Sequence, residues 1–225
     1  MSRLGRCPGG GFPYVNRTTM TIRLHKGDLP DSFRPAPVVA IDTETLGLNP
    51  LRDRLCLVQV SNGDGVADLV QVPRGADAAS APNLVRLLAD PHVVKLFHFA
   101  RFDLAVLHHT FDVTTTPVFC TKIASRLVRT YTDRHGLKDL VRELLGVDMS
   151  KQQQSSDWAA PTLSDAQLAY AASDVLFLHA CKAKLETMLA REGRQELAQA
   201  CFDFLPTRAA LDLAGWSEAD IFAHS

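Results

Sequence analysis

Val38-Val39-Ala40-Ile41-Asp42-Thr43-Glu44-Thr45-Leu46-Gly47-Leu48 is the stretch whose reading decides the fold. Four apolar residues run straight into Asp-Thr-Glu, the pattern of a strand buried on both faces that ends in two acids. Side chains alternate along a strand, so Asp42 and Glu44 point the same way. Two carboxylates side by side at the edge of an apolar core repel each other unless a proton or a cation lies between them. The same residues also fit a solvated strand end followed by a turn at Gly47, and the choice between the two rests on acids further along.

Outward from this strand, residues 55–60 alternate moderately, and Asn62-Gly63-Asp64-Gly65 turns the chain back into residues 66–70, a hairpin signal. Three neighbouring antiparallel strands are expected. Residues 83–89 read as a short helix and 93–97 as a further buried strand. Helical patterns then dominate at 103–109, 122–129 and 137–145, with one long helix from Ser164 to about Glu192 and a single extra strand at 118–120. Strands first, then helices alternating with strands, predict an α/β architecture: a mixed sheet flanked by helices.

A chain of 225 residues, 46% of them hydrophobic, can bury one full core, so residues 20–225 are expected to form a single domain. Residues 1–19, rich in Gly and Pro around Cys7-Pro8-Gly9-Gly10-Gly11, are expected to be disordered, and Met20 is a candidate initiation site. With 24 basic and 25 acidic residues, no basic surface is advertised for gripping long nucleic acid. Five scattered cysteines without a CxxC pair suit reduced thiols in a cytosol. No membrane-length apolar run and no secretory signal are visible, so the expectation is a soluble cytoplasmic protein without a membrane partner.

Two later stretches carry further acids. His98-Phe99-Ala100-Arg101-Phe102-Asp103 follows a strand and opens a helix, which puts Asp103 in the first turn, where it also fits a plain helix-dipole partner. Tyr170 and Asp174, four apart in the long helix, share a face amid Leu168, Ala171, Val175 and Leu178, where the pair also fits a structural hydrogen bond. Asp-x-Glu on a strand, Asp at a helix start and Tyr-x-x-x-Asp on a late helix together resemble the DEDDy 3′-to-5′ exonucleases of the ribonuclease D type. Lys151-Gln152-Gln153-Gln154-Ser155-Ser156-Asp157-Trp158 resembles that family's segment ahead of its last motif, and Thr121-Lys122-Ile123-Ala124-Ser125-Arg126 is most similar to its short bacterial members, the nano-RNase C group.

The resemblance implies a ribonuclease H-like fold and a catalytic set of Asp42, Glu44, Asp103, Tyr170 and Asp174. It implies two divalent ions, Mg²⁺ or Mn²⁺, with Asp42, Glu44 and Asp174 on one, and Asp42 and the water shell of Asp103 on the other. An all-carboxylate donor set suits such hard ions. Tyr170 would orient or deprotonate the attacking water, and very short RNA, dinucleotides above all, would be hydrolysed to nucleoside 5′-monophosphates. Candidate substrate contacts are Leu46 and Phe99 against the bases, with Arg134, His135 and Lys138 reaching a 5′-phosphate at a helix start; Leu46 equally fits turn packing, and Arg134 and Lys138 equally fit ordinary surface charges. Phe99 also fits a core role, the commoner one for a Phe, and His98, His108 and His109 read as packing or surface residues. The apolar tail from Phe202 through Trp216 to Phe222 reads as an interface, and the short relatives point to a ring-like homo-oligomer, an octamer being the size they suggest. Trimming of structured RNA 3′ ends, DNA proofreading and a catalytically inactive nucleic-acid-binding module stay open as alternatives. Trimming is disfavoured by the short chain, and inactivity by the presence of all five site residues.

Overall fold

The computed structural model describes residues 20–150, 152–153 and 155–224; the expectation of disorder at 1–19, and Lys151 and Gln154 of the Lys/Gln-rich segment, lie outside them. Six strands form one mixed sheet in the order β1-β4-β3-β2-β5-β6. They are β1 (Thr21–Lys26), β2 (Val38–Thr45), β3 (Leu55–Ser61), β4 (Val66–Gln71), β5 (Val94–Phe97) and β6 (Val118–Cys120). The helices are α1 (Pro82–Ala89), α2 (Ala100–Phe111), α3 (Thr121–Val128), α4 (Leu137–Leu145), α5 (Asp165–Leu176), α6 (Leu178–Arg191) and α7 (Gln195–Leu211). The mixed sheet flanked by helices matches the ribonuclease H-like expectation. As anticipated, β2, β3 and β4 pair antiparallel in sequence.

The centre of the sheet explains the apolar run. β2 lies between β3 and β5, and Val39, Ala40 and Ile41 are fully buried because helices cover both faces. β2 pairs parallel with β5, so the acidic end of β2 and the end of β5 that feeds α2 emerge at the same edge of the sheet. Open α/β sheets place ligands in the crevice outside those carboxyl ends.

One element was not anticipated, and two sequence expectations need correction. Residues 21–26, unassigned from sequence although Ile22 and Leu24 alternate with polar residues, form the edge strand β1, parallel to β4. Most of β1 is exposed; His25 Nε2, 2.8 Å from the buried Asp68 carboxylate on β4, is one contact that fixes it. The single long helix is two, broken at Phe177. α5 packs over β2, β3 and β4, whereas α6 packs on α3 and α4, and one straight rod cannot follow both surfaces. At the start of α6, His179 Nε2 lies 3.0 Å from the Val38 carbonyl, and its ring fills the space beside Gly63, where a Cβ would come within 2.8 Å of it. Finally, the core absorbs part of the tail: Phe202, Leu205 and Ala209 of α7 are buried, and the Phe202 ring packs 4.7 Å from that of Phe119.

Candidate active site

The register of β2 sets the first two acids. Asp42 and Glu44 are two residues apart on the strand, opposite Gln59 and Leu57 of β3, and a register irregularity follows at Glu44/Thr45 as the strand leaves the sheet. Asp174 arrives from α5, whose start is fixed by a reciprocal cap between Ser164 and Gln167. Gln167 also donates to the Asp157 carbonyl at 3.1 Å, tying α5 to the segment carrying Trp158. Asp42, Glu44 and Asp174 each offer a carboxylate oxygen within 4.8 Å of the others, the one such convergence of three or more acids, His or Cys among the described residues. Asp103, buried in the first turn of α2, stands beside this trio and accepts a 2.6 Å hydrogen bond from Thr43 Oγ1.

Electrostatics mark the cluster as incomplete. Burial first, then repulsion from Asp103, Asp174 and Glu44, raises the Asp42 carboxyl well above the usual range. Glu44 is pushed up to about 9 by burial and by Asp174 and Asp103. Burial also raises Asp103 and Asp174. Four acids that resist ionising together form a donor set for hard cations: the donors are all carboxyl oxygens, they converge, and a bound cation would supply the positive charge that lets them ionise. Gln59, fully buried, offers only a 3.5 Å contact from Nε2 to Asp42 Oδ2. Tyr170 is half-buried on the same face of α5, with its ring 6.1 Å from that of Trp158. Burial and the neighbouring Asp174, Glu44 and Asp42 raise its phenol, which therefore keeps its proton at neutral pH.

These groups line a cleft of about 670 Å³ that also takes in Leu46, Leu48, Phe99, Lys122, Lys138 and Trp158. The core role for Phe99 is overturned. It caps α2 in the left-handed region at φ 67°, a conformation that costs a non-glycine residue energy, and the residue is 44% exposed at the cleft. Lys122 Nζ lies 4.1 Å from the ring centroid, a cation–π contact. Of the three residues expected at a 5′-phosphate, Lys138 lines the cleft with Gly136 and Leu137, whereas Arg134 and His135 do not. Arg134 lines a separate pocket beside Tyr131, and the His135 ring lies 2.9 Å from Ser125 Oγ. His98 stands partly buried in the cleft wall with Nδ1 2.9 Å from Thr121 Oγ1; burial and then Lys122 lower it to about 3, so it is neutral. Sequence reasoning missed Lys122 as a cleft residue, although the Thr121–Arg126 match contained it.

Residues 28–190 match the 3′-5′ exonuclease family. The chain belongs to that family. This exonuclease is 64% identical to Brucella melitensis NrnC bound to pGG, a match that covers 92% of this chain and 100% of that one with a TM-score of 0.88. The structure of the same relative with bound Mg²⁺ is 63% identical over 92% of this chain and 100% of that one, TM-score 0.87. Ribonuclease D of Gluconacetobacter diazotrophicus is 37% identical over 191 residues, 85% of this chain and 47% of that protein. The exonuclease thus spans about half the length of the curated ribonuclease D relatives it matches.

Proposed function

We propose that this exonuclease is a divalent-metal-dependent 3′-to-5′ exoribonuclease that hydrolyses very short RNA, dinucleotides above all, to nucleoside 5′-monophosphates. The observation that carries the reading is the convergence of Asp42, Glu44 and Asp174, with Asp103 beside them, in the wall of one cleft. These four carboxylates would hold two Mg²⁺ or Mn²⁺ ions, and family membership and the Mg²⁺-bound Brucella relative support that assignment. When bound, such ions supply the positive charge that attacking and leaving phosphodiester oxygens need.

The chain's own residues do the rest. Tyr170 points a protonated phenol at the carboxylate cluster and orients the attacking water by hydrogen bonding. The open face of Phe99 and the side chain of Leu46 flank the cleft as apolar surfaces for bases. Lys138, near the start of α4, faces the same space as a partner for a phosphate. The pGG bound by the Brucella relative supports a substrate of this size.

Long-RNA binding draws on many Lys and Arg contacts to phosphates, and a net charge of −1 does not provide that footprint. The expected result is a kcat/KM for a 5′-phosphorylated dinucleotide about tenfold or more above that for a twenty-nucleotide RNA, with Mg²⁺ required for both. Equal or greater efficiency on the longer RNA defeats the short-substrate reading; no hydrolysis of either with Mg²⁺ or Mn²⁺ defeats the nuclease reading. The same chain is proposed to self-associate. Phe204, Trp216, Ile221 and Phe222 remain exposed after α7 has packed, with the Phe204 and Phe222 rings 5.8 Å apart. Sedimentation velocity at micromolar protein is expected to show an oligomer, and a monomer alone removes that part of the proposal.

A further inference from the structure

Leu46, Leu48 and Leu51 stand on the loop between β2 and β3 with 54%, 88% and 53% of their surface exposed. A single exposed leucine is ordinary. Leu51 lines a separate pocket with Pro50 and Arg52, whereas Leu46 and Leu48 stand on the cleft side of a loop whose backbone is fixed. The fixing residue is Asp53, itself buried. Its Oδ2 accepts the Asn49 N–H at 3.0 Å, and its own N–H donates to the Asn49 carbonyl at 2.7 Å. The same carboxylate receives Arg52 Nε and Nη2 at 2.7 and 2.8 Å. Hydrogen bonds from Arg52 and then from Asn49 hold the Asp53 carboxyl down at about 2, so it is ionised throughout the working pH range. Gly47 is needed for this packing, since a Cβ there would lie 2.3 Å from Asp53 Oδ2. The Leu46 N–H closes the loop by donating to the Arg54 carbonyl at 3.2 Å.

Leu46 and Leu48 line the same cleft as Phe99 and the carboxylates. Apolar side chains held in water at the rim of a nucleotide-sized cleft gain most when a flat base covers them, and a loop already in its bound shape loses little entropy in doing so. We propose that Asp53 is a positioning residue for substrate: it locks the β2–β3 loop so that Leu46 and Leu48 stand as a fixed wall against the bases of a short RNA. This inference rests on the exoribonuclease reading above. Asp53 touches neither substrate nor the reacting atoms and acts through the leucines.

The test measures kcat and KM on a 5′-phosphorylated RNA dinucleotide with Mg²⁺, together with the unfolding temperature. Asp53→Ala is expected to raise KM about tenfold and leave kcat within about twofold, because binding is lost and chemistry is not. Leu48→Ala raises KM in the same direction. The double variant Asp53→Ala/Leu48→Ala raises it no further than Asp53→Ala alone, since residues acting through one contact are not additive. Asp53→Asn, whose amide oxygen still accepts from Asn49, falls between wild type and Asp53→Ala. A wild-type KM in Asp53→Ala, a kcat that falls in place of a rise in KM, or full additivity in the double variant overturns the proposal. Should Asp53→Ala not fold, Asp53→Asn and Leu48→Ala decide: raised KM at an unchanged unfolding temperature supports it, and unchanged KM in both overturns it. A wild-type protein that cleaves no RNA defeats the nuclease reading itself, whereas an active wild type with an unmoved Asp53→Ala defeats this inference alone.

Discussion

Asp42→Asn is expected to lower kcat/KM on a dinucleotide by roughly 10³-fold or more, with metal binding weakened in parallel. The substitution keeps the shape of the side chain and removes one negative oxygen from the group that converges within 4.8 Å. Asp42 is the acid most enclosed by the others, because Asp103, Asp174 and Glu44 all act on it. Calorimetric titration with Mg²⁺ or Mn²⁺ gives a readout independent of turnover, and near-native activity would sink the metal assignment. The same variant carries a stability signature of opposite sign. With folded-state pKa values raised, the folded protein holds protons that the unfolded chain releases, so metal-free stability falls as pH rises from about 4 toward the raised values, which reach about 9 at Glu44. Removing one of the repelling carboxylates relieves that loss. Metal-free Asp42→Asn is therefore expected to melt a few degrees above metal-free wild type at pH 8, and the difference shrinks near pH 4.

Glu143→Ala is expected to destabilise the fold by about 3 kcal/mol, because it strands a buried charge. Arg129 has no solvent exposure, and its guanidinium donates to Ser125 Oγ at 2.8 Å, to the Arg134 carbonyl at 2.9 Å and to both oxygens of Glu143. Tyr131 donates its hydroxyl to the same carboxylate. Once Glu143 is gone, neutral oxygens alone face the cation. The figure sits at the low end for a broken buried pair because the Glu143 side chain is 39% exposed, which lets water approach. Urea unfolding of Glu143→Ala reads the cost directly. A loss below about 1 kcal/mol would mean that the pair is screened like an ordinary surface bridge. The network also spans the turn leading into α4, whose first residues line the cleft, so Arg129→Met/Glu143→Leu is expected to recover stability without recovering that local geometry.

Much of the site was legible because its signals are local. Asp-x-Glu at a strand end, an acid in a first helical turn and a Tyr four residues ahead of an Asp each follow from backbone periodicity. The structure brings these residues to one cleft, though the role of each stands as a proposal. The substrate contacts were less legible. Whether Lys138 faces the cleft and Arg134 turns from it depends on the bend around Arg129, which is set by contacts between residues 125, 134 and 143 that no periodicity relates. The exposure of Phe99 follows from its left-handed backbone where β5 meets α2, a feature of the junction and not of the residue type.

By itself the sequence determined the mixed α/β class, the three central antiparallel strands, the strand ends and helix turns bearing the acids, and the family resemblance. Those features are encoded in runs of two to twelve residues, where alternation, capping and turn chemistry act. Tertiary structure alone decided that residues 21–26 pair in parallel with β4 at the sheet edge, that the long helical stretch breaks at Phe177, and that Phe202 and Leu205 go inside while Trp216 stays out. In each case the deciding energy is burial or pairing against a surface distant in sequence: β4 for the edge strand, two differently inclined supports for α5 and α6, and α2 with β6 for the tail. Burial against a remote surface leaves no mark on the local pattern, because the pattern records which side chains prefer to leave water and not which surface receives them.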